Sequence, residues 1–190
     1  LLDAALNLFD RISGDRLRHE FDLMLQEPNW QAMLNRVREL EIPQEVFEHL
    51  TWDLWFIRAY QQFHQAALPD NWGTEAIDFY YPYPQAAFYY LQLIKMPKFA
   101  RRGFIRRMNL PLKMLNVANQ VVRNMIELPV QVGQPTPQIV QLLDQSSLSA
   151  LAITQVLSPD ESIAALISQY VIEWRGIRAE LDGRDLQELG

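Results

Sequence analysis

Eight cationic side chains, Lys95, Lys98, Arg101, Arg102, Arg106, Arg107, Lys113 and Arg123, fall between Phe79 and Ile126, a stretch of 48 residues without an Asp or Glu. That stretch carries +8 and the rest of the chain −14, so the net charge of −6 conceals a segregated molecule. Guanidinium and ammonium groups clustered without intervening carboxylates are what neutralising a run of phosphates requires. The segregation suggests one electropositive surface on an acidic protein. Two other readings fit the same residues. They can form an ordinary solvated face, or a cationic amphipathic helix near residues 95–113 that lies on a membrane surface, although the prolines and Gly103 interrupt its apolar side.

Other chemistries find less support. The three histidines, His19, His49 and His64, are far apart in the chain and lack ligand partners at helical spacing. Asp182 and Asp185 flank Arg184 and are better explained by capping of a terminal helix. The glycines are isolated, so no phosphate-cradling loop is present, and no serine sits in a nucleophile-elbow pattern. Two-metal phosphoryl transfer needs closely spaced carboxylates on a rigid strand, and the chain offers neither. With no cysteine there are no disulfides and no thiolate metal sites.

The elements that must position the cations read as helical, because apolar residues recur at three- and four-residue spacing and two-residue alternation is scarce. The pattern predicts an all-α, irregular multi-helix array without sheet. A first helix ends near Phe9, and Ser13 caps a second with Leu17, Phe21, Met24 and Leu25 on its inner face. Pro28 and Asn29 start a third running to about Leu40, and Pro43 opens another. From Val46 to Leu68 the chain reads as a strongly aromatic helical stretch, and Asp70–Pro84 as a loop. The basic zone divides into helices over Ala86–Lys95, from Pro97 to near Met108, and from Pro111 to about Ile126. The prolines of Leu128–Pro137 predict a linker or domain edge, after which Thr136 caps a helix with Pro137 in its first turn. Ser158-Pro159-Asp160-Glu161 reads as a capping box opening a helix whose stripe is Ile163, Leu166, Ile167, Tyr170, Val171, Trp174, Ile177 and Leu181, ending at Gly183.

About half the residues are hydrophobic, 49%, enough for a sizeable core in 190 residues. No window approaches the roughly 18 consecutive apolar residues of a membrane span, and the chain shows no secretory signal pattern, so a cytoplasmic location is expected.

Two segments carry a resemblance. The run from Arg11 to Glu20, RISGDRLRHE, followed by an apolar helix and by Leu34–Leu50 with its proline-containing turn, resembles the neck of bacterial tRNA nucleotidyltransferases and poly(A) polymerases. The run from Tyr170 to Gly190, YVIEWRGIRAELDGRDLQELG, is similar to the tail of the same family. Trp52 and Asp53 after the neck resemble the branch whose members carry additional N-terminal domains. The resemblance implies an all-helical neck (1–42), body (43–128) and tail (129–190) that grip tRNA for a covalently linked N-terminal head. That head would use magnesium and a nucleoside triphosphate to add nucleotides to RNA 3′ ends. Its paired aspartates and the family's Glu-Asp-x-x-Arg segment do not occur in the chain, and the family's Gly-Pro-rich continuation would follow Gly190. From the matching neck positions the resemblance implies that Arg11, Ser13 and Arg16 brace the nucleotide pocket.

RNA binding through Lys95, Lys98, Arg101, Arg102, Arg106, Arg107, Lys113 and Arg123, with Tyr or Phe side chains available to stack on unpaired bases, is therefore the leading expectation. Its rival is a helical protein-interaction or regulatory module whose aromatic stripes dock a partner. No catalytic residue, metal or cofactor is expected in this region itself. Incubated with tRNA, magnesium and any nucleoside triphosphate, it should incorporate no nucleotide above a protein-free control, and incorporation would overturn this reading.

Overall fold

A computed structural model describes residues 9–66, 72, 77–81, 85–133 and 136–177. Among these there are ten α-helices and no strand. A 3₁₀ turn, Phe9–Arg11, leads into α1 (Gly14–Gln26), α2 (Trp30–Glu39) and the short α3 (Ile42–Val46). Then follow α4 (Leu54–Gln65), α5 (Gln85–Lys95), α6 (Arg101–Arg107) and α7 (Lys113–Gln131). The chain continues through α8 (Thr136–Asp144), α9 (Leu148–Leu157) and α10 (Glu161–Gln169) into a wide π turn, Tyr170–Trp174. The helix expected before Phe9, most of the Asp70–Pro84 loop, and Leu181, Asp182, Gly183 and Asp185 lie outside the described residues.

Local chemistry explains most helix starts. Ser13 Oγ accepts the Arg16 amide at 3.3 Å and starts α1, whose inner face is Leu17, Phe21, Met24 and Leu25 as the spacing predicts. The aromatic stretch begins its helix later than its composition suggests. Val46 closes α3, Phe47 is extended, and α4 starts only at Leu54, where Asp53 Oδ1 accepts the Phe56 amide at 2.9 Å.

The aromatic side chains meet around Phe88 of α5. Its ring lies 5.4 Å from both Trp52 and Phe56, 5.8 Å from Phe21 and 5.9 Å from Tyr60, mostly edge to face. Such pairs add about 0.5–1.5 kcal/mol each beyond the area they bury. Together they hold α1, α4 and α5 to one centre. At the edge of this cluster His64 stacks on Trp30 at 4.7 Å, and the loss of water there holds its pKa below the ordinary value.

The longest helix, α7, is the strut of the second half, packing against α5, α6, α8 and α9. Among the described residues nearly all the buried apolar side chains form one continuous cluster from Leu17 to Val171. The edge expected at Leu128–Pro137 therefore does not divide the core, since α9 packs on both α7 and α4 across it. Nor does α7 stop near Ile126. It continues through Pro129 to Gln131, because fully buried Leu128 anchors the last turn while Pro129, lacking an N–H, sits on the exposed side.

The last segment departs from its sequence pattern twice. Ser158 is not the cap of the final helix. It closes α9, its amide bonded to the Thr154 carbonyl at 2.9 Å, while its hydroxyl turns to the Asp160 amide at 3.3 Å. Asp160 is the cap of α10, accepting the Ser162 amide at 2.8 Å. The apolar stripe of α9 holds its helix to Leu157, so Ser158 is already committed and Pro159 falls in the connection. The second departure is that the expected long helix widens at Tyr170–Trp174, where the Arg175 amide reaches the Tyr170 carbonyl five residues back at 2.8 Å. The widening lets Tyr170 and Val171 both point inward, and the Tyr170 hydroxyl donates to Asp144 on α8 at 2.6 Å.

Hydrogen bonds from the Ser162 hydroxyl and amide hold the Asp160 carboxyl below its ordinary pKa of 3.8. A carboxyl with a lowered folded-state pKa stabilises fully above its unfolded value and loses that contribution as pH falls through the folded one. Asp160→Ala should therefore lower the urea midpoint at pH 7 more than Ser158→Ala does, and the difference should shrink progressively as pH falls below 3.8. Equal midpoints at pH 7 would place the cap elsewhere.

Candidate nucleic-acid interface

The eight cations of the acid-free zone divide into two groups of four. Lys95, at the end of α5, is ion-paired with Asp53 and lies 5.3 Å from the Trp55 ring centre. Arg101, only 6% exposed, donates Nε to the Met96 carbonyl (3.1 Å), Nη2 to the Ile94 carbonyl (3.3 Å) and Nη1 to Asn119 Oδ1 (2.6 Å). It thereby satisfies carbonyls at the C-terminal end of α5, which that helix cannot pair itself, and ties them to α7. Burial pushes its pKa below the usual guanidinium value. Arg123 donates to Gln145 Oε1 (3.0 Å) and Ser146 Oγ (2.9 Å), joining α7 to the turn before α9.

Arg107 carries the largest share of this internal work. Its guanidinium donates to the carbonyls of Phe9 (2.6 Å), Ile12 (2.9 Å) and Val46 (3.2 Å), drawing the 3₁₀ turn and the end of α3 onto the end of α6. The same corner is closed from the other side. Arg18 donates to the carbonyls of Met108 (3.1 Å) and Asn109 (2.6 Å) and pairs with Asp15 (2.7 Å). Asn109 donates Nδ2 to both Asp15 oxygens at 2.9 and 3.1 Å. Asn109 itself adopts the left-handed conformation, φ 48°, and ends α6 in a Schellman motif: its amide reaches the Arg106 carbonyl, and the Leu110 amide the Ile105 carbonyl. Gly14 fits this corner because it has no side chain. A Cβ there would overlap the Arg107 carbonyl oxygen and stand 3.0 Å from the Asn109 nitrogen.

Lys95, Arg101, Arg107 and Arg123 are thus engaged by partners within the fold. The signal for Arg101 was present in the sequence, since it heads the stripe Arg101, Phe104, Ile105, Met108 on the buried side of α6. For Arg107 no local signal exists, because its acceptors lie 61, 95 and 98 residues away.

The side chains of the other four, Lys98, Arg102, Arg106 and Lys113, are exposed and make no ion pair or hydrogen bond with another described residue. Arg102 and Arg106 lie one turn apart on the outer face of α6. They border a cleft of about 500 Å³ completed by Ile105, Asn109, Leu110 and Leu112. Asp15 is the acid bonded to this cleft's wall, and Arg18 and Asn109 occupy its carboxylate. Sequence patterning missed two further surface residues here, Phe99, 79% exposed, and Leu112, 61% exposed. Of the neck positions, Ser13 is engaged as the α1 cap, and Arg11 and Arg16 are exposed beside the corner that Arg107 closes.

Among the described residues no group of three His, Asp or Glu side chains is placed to hold a metal ion, and no helix is long and apolar enough to cross a membrane. What the α6 face offers chemically is fixed positive charge beside an open cleft.

Arg107→Met should lower stability by about 2–4 kcal/mol, since three carbonyls lose a charged donor. Gly14→Ala should cost about 1–3 kcal/mol by overpacking the same corner. Arg102→Met, which breaks no internal bond, should stay within about 0.5 kcal/mol of the unsubstituted chain. Urea midpoints compare all three, and an unchanged midpoint for Arg107→Met would remove the clamp from the account. No family model matches this chain, and no match is found among curated proteins or solved structures.

Proposed function

We propose that this region binds RNA through the outer face of α6 and the start of α7, with Lys98, Arg102, Arg106 and Lys113 contacting phosphates. The observation that carries the reading is the division of the basic zone. After four cations are engaged inside the fold, the remaining four still open to solvent, two of them, Arg102 and Arg106, at one cleft, within a 48-residue stretch lacking any carboxylate. A charge distribution of this kind attracts a polyanion even on a molecule of net charge −6. Recognition is by shape and backbone charge. The resemblance of the neck and tail motifs makes tRNA the first RNA to test. It makes a covalently linked, magnesium-dependent nucleotidyltransferase or poly(A) polymerase head the expected partner in the whole protein.

Each phosphate neutralised contributes a slope of about −0.7 to −0.9 to a plot of log affinity against log salt. With three or four contacts the unsubstituted region should bind tRNA with a slope of about −2 to −4. Arg102→Glu with Arg106→Glu should weaken binding at low salt and flatten the slope by about one to two units, while helical circular dichroism stays unchanged. The pair Arg106 and Arg107 would be a poor choice, because Arg107 holds the α1–α6 corner together. Binding and slope that both survive the double replacement would move the contact off α6. Absence of tRNA binding at low salt would favour the protein-interaction reading instead. Its observation is at the far end of α7, where Ile126 and Val130, one turn apart, are 66% and 72% exposed.

A further inference from the structure

Phe99 is the most exposed large hydrophobic side chain among the described residues, at 79%. Leaving a phenylalanine in water forgoes about 1.5–3 kcal/mol that burial would contribute. Single exposed apolar residues are ordinary, but this one is set among an unusual group of neighbours.

Phe99 lies in the helical turn that leads into α6, where the Ala100 amide bonds to the Pro97 carbonyl (2.9 Å) and the Phe104 amide to the Ala100 carbonyl (3.1 Å). At 100° per residue, Phe99, Arg102 and Arg106 fall at positions i, i+3 and i+7 of one face. The opposite face is Arg101, Phe104, Ile105 and Met108, all buried. The fold therefore presents an aromatic ring and two unpaired guanidinium groups along the same outer ridge.

The ring is also supported from below. Buried Phe104 meets Phe47 at 5.8 Å, Phe47 meets His49 at 6.0 Å, and His49 meets Phe99 at 5.2 Å with the rings nearly perpendicular. This series climbs from the core to the surface. Gly103 allows it, since a Cβ there would stand 3.1 Å from the Phe47 ring. Phe99 is thus braced at one contact and leaves most of its ring open.

Resting on the RNA-binding reading above, we infer that Phe99 is a stacking platform for one unpaired nucleobase, with Arg102 and Arg106 holding the phosphates that run on from it along the ridge. An interior base of a duplex is already stacked on both faces and has none to offer a protruding ring. A base in a loop or single-stranded end does. An aromatic ring in line with a row of cations is an arrangement that tracks a single strand, because charge holds the backbone and the ring tolerates any base. Lys98 and Lys113 add charge on neighbouring positions without joining the ridge.

The test titrates the 190-residue chain at low salt with two probes, a single-stranded RNA octamer of adenylate and a blunt eight-base-pair RNA duplex. Phe99→Ala should weaken octamer binding about 5-fold or more, the loss expected for one stacked base. It should leave duplex binding within about 2-fold and the salt slope of both unchanged, since no phosphate contact is removed. Phe99→Trp, which keeps an aromatic face, should bind the octamer as the unsubstituted chain does. An equal loss on both probes, or no loss on the octamer, overturns the stacking role. It leaves RNA binding standing, because the unsubstituted chain still binds. If the unsubstituted chain binds neither probe, both readings fall together.

Discussion

The guanidinium of Arg107 determines how α6 is turned. Its three carbonyl acceptors belong to the 3₁₀ turn, the residue after it and the last residue of α3, so one side chain closes a corner between segments up to 98 residues apart. A seven-residue helix buries too little surface to hold its own rotation against the core. Arg107 at its end and Arg101 at its start clamp it by charge-assisted hydrogen bonds, each worth about 1.5–3 kcal/mol. With both ends held, Phe104 and Ile105 face inward, and Phe99, Arg102 and Arg106 have only the outer side left to occupy.

Carbonyls are well suited as partners for these arginines. The last carbonyls of a helix have no donor within it, and the helix dipole makes that end partly negative. Arg101 meets this need at the end of α5 and Arg107 at the end of α3. No carboxylate is required, which explains how a 48-residue stretch without Asp or Glu places two of its arginines inside the fold. Desolvation of the charge still opposes the arrangement, as the lowered pKa of Arg101 shows. Three hydrogen bonds from each guanidinium offset it.

The aromatic centre around Phe88 and the polar corner around Arg107 divide the labour. Rings packed at 5–6 Å supply non-directional burial that assembles α1, α4 and α5, while α7 carries the apolar contacts on to α8 and α9. The corner supplies direction. Asn109 in the left-handed conformation ends α6 abruptly, and Gly14 lets the start of α1 approach that end to within contact of its backbone. The ridge and its cleft are the outward product of those two inward constraints.

The amino-acid sequence by itself determined the helical class, the Ser13 cap, the inner face of α1, the starts of α5, α6 and α7 to within a few residues, and the acid-free zone. These depend on neighbours within one or two helical turns, where side-chain type and spacing act directly on the backbone. Ser158 misled because the preceding helix competed for it, and Pro129 because a buried neighbour two atoms of chain away, Leu128, outweighed it. Which four cations stay exposed was decided by tertiary structure alone. Arginine is as able to satisfy helix-end carbonyls as to bind phosphate, and only the folded chain brings Phe9, Ile12 and Val46 within reach of Arg107 while leaving Arg102 and Arg106 exposed.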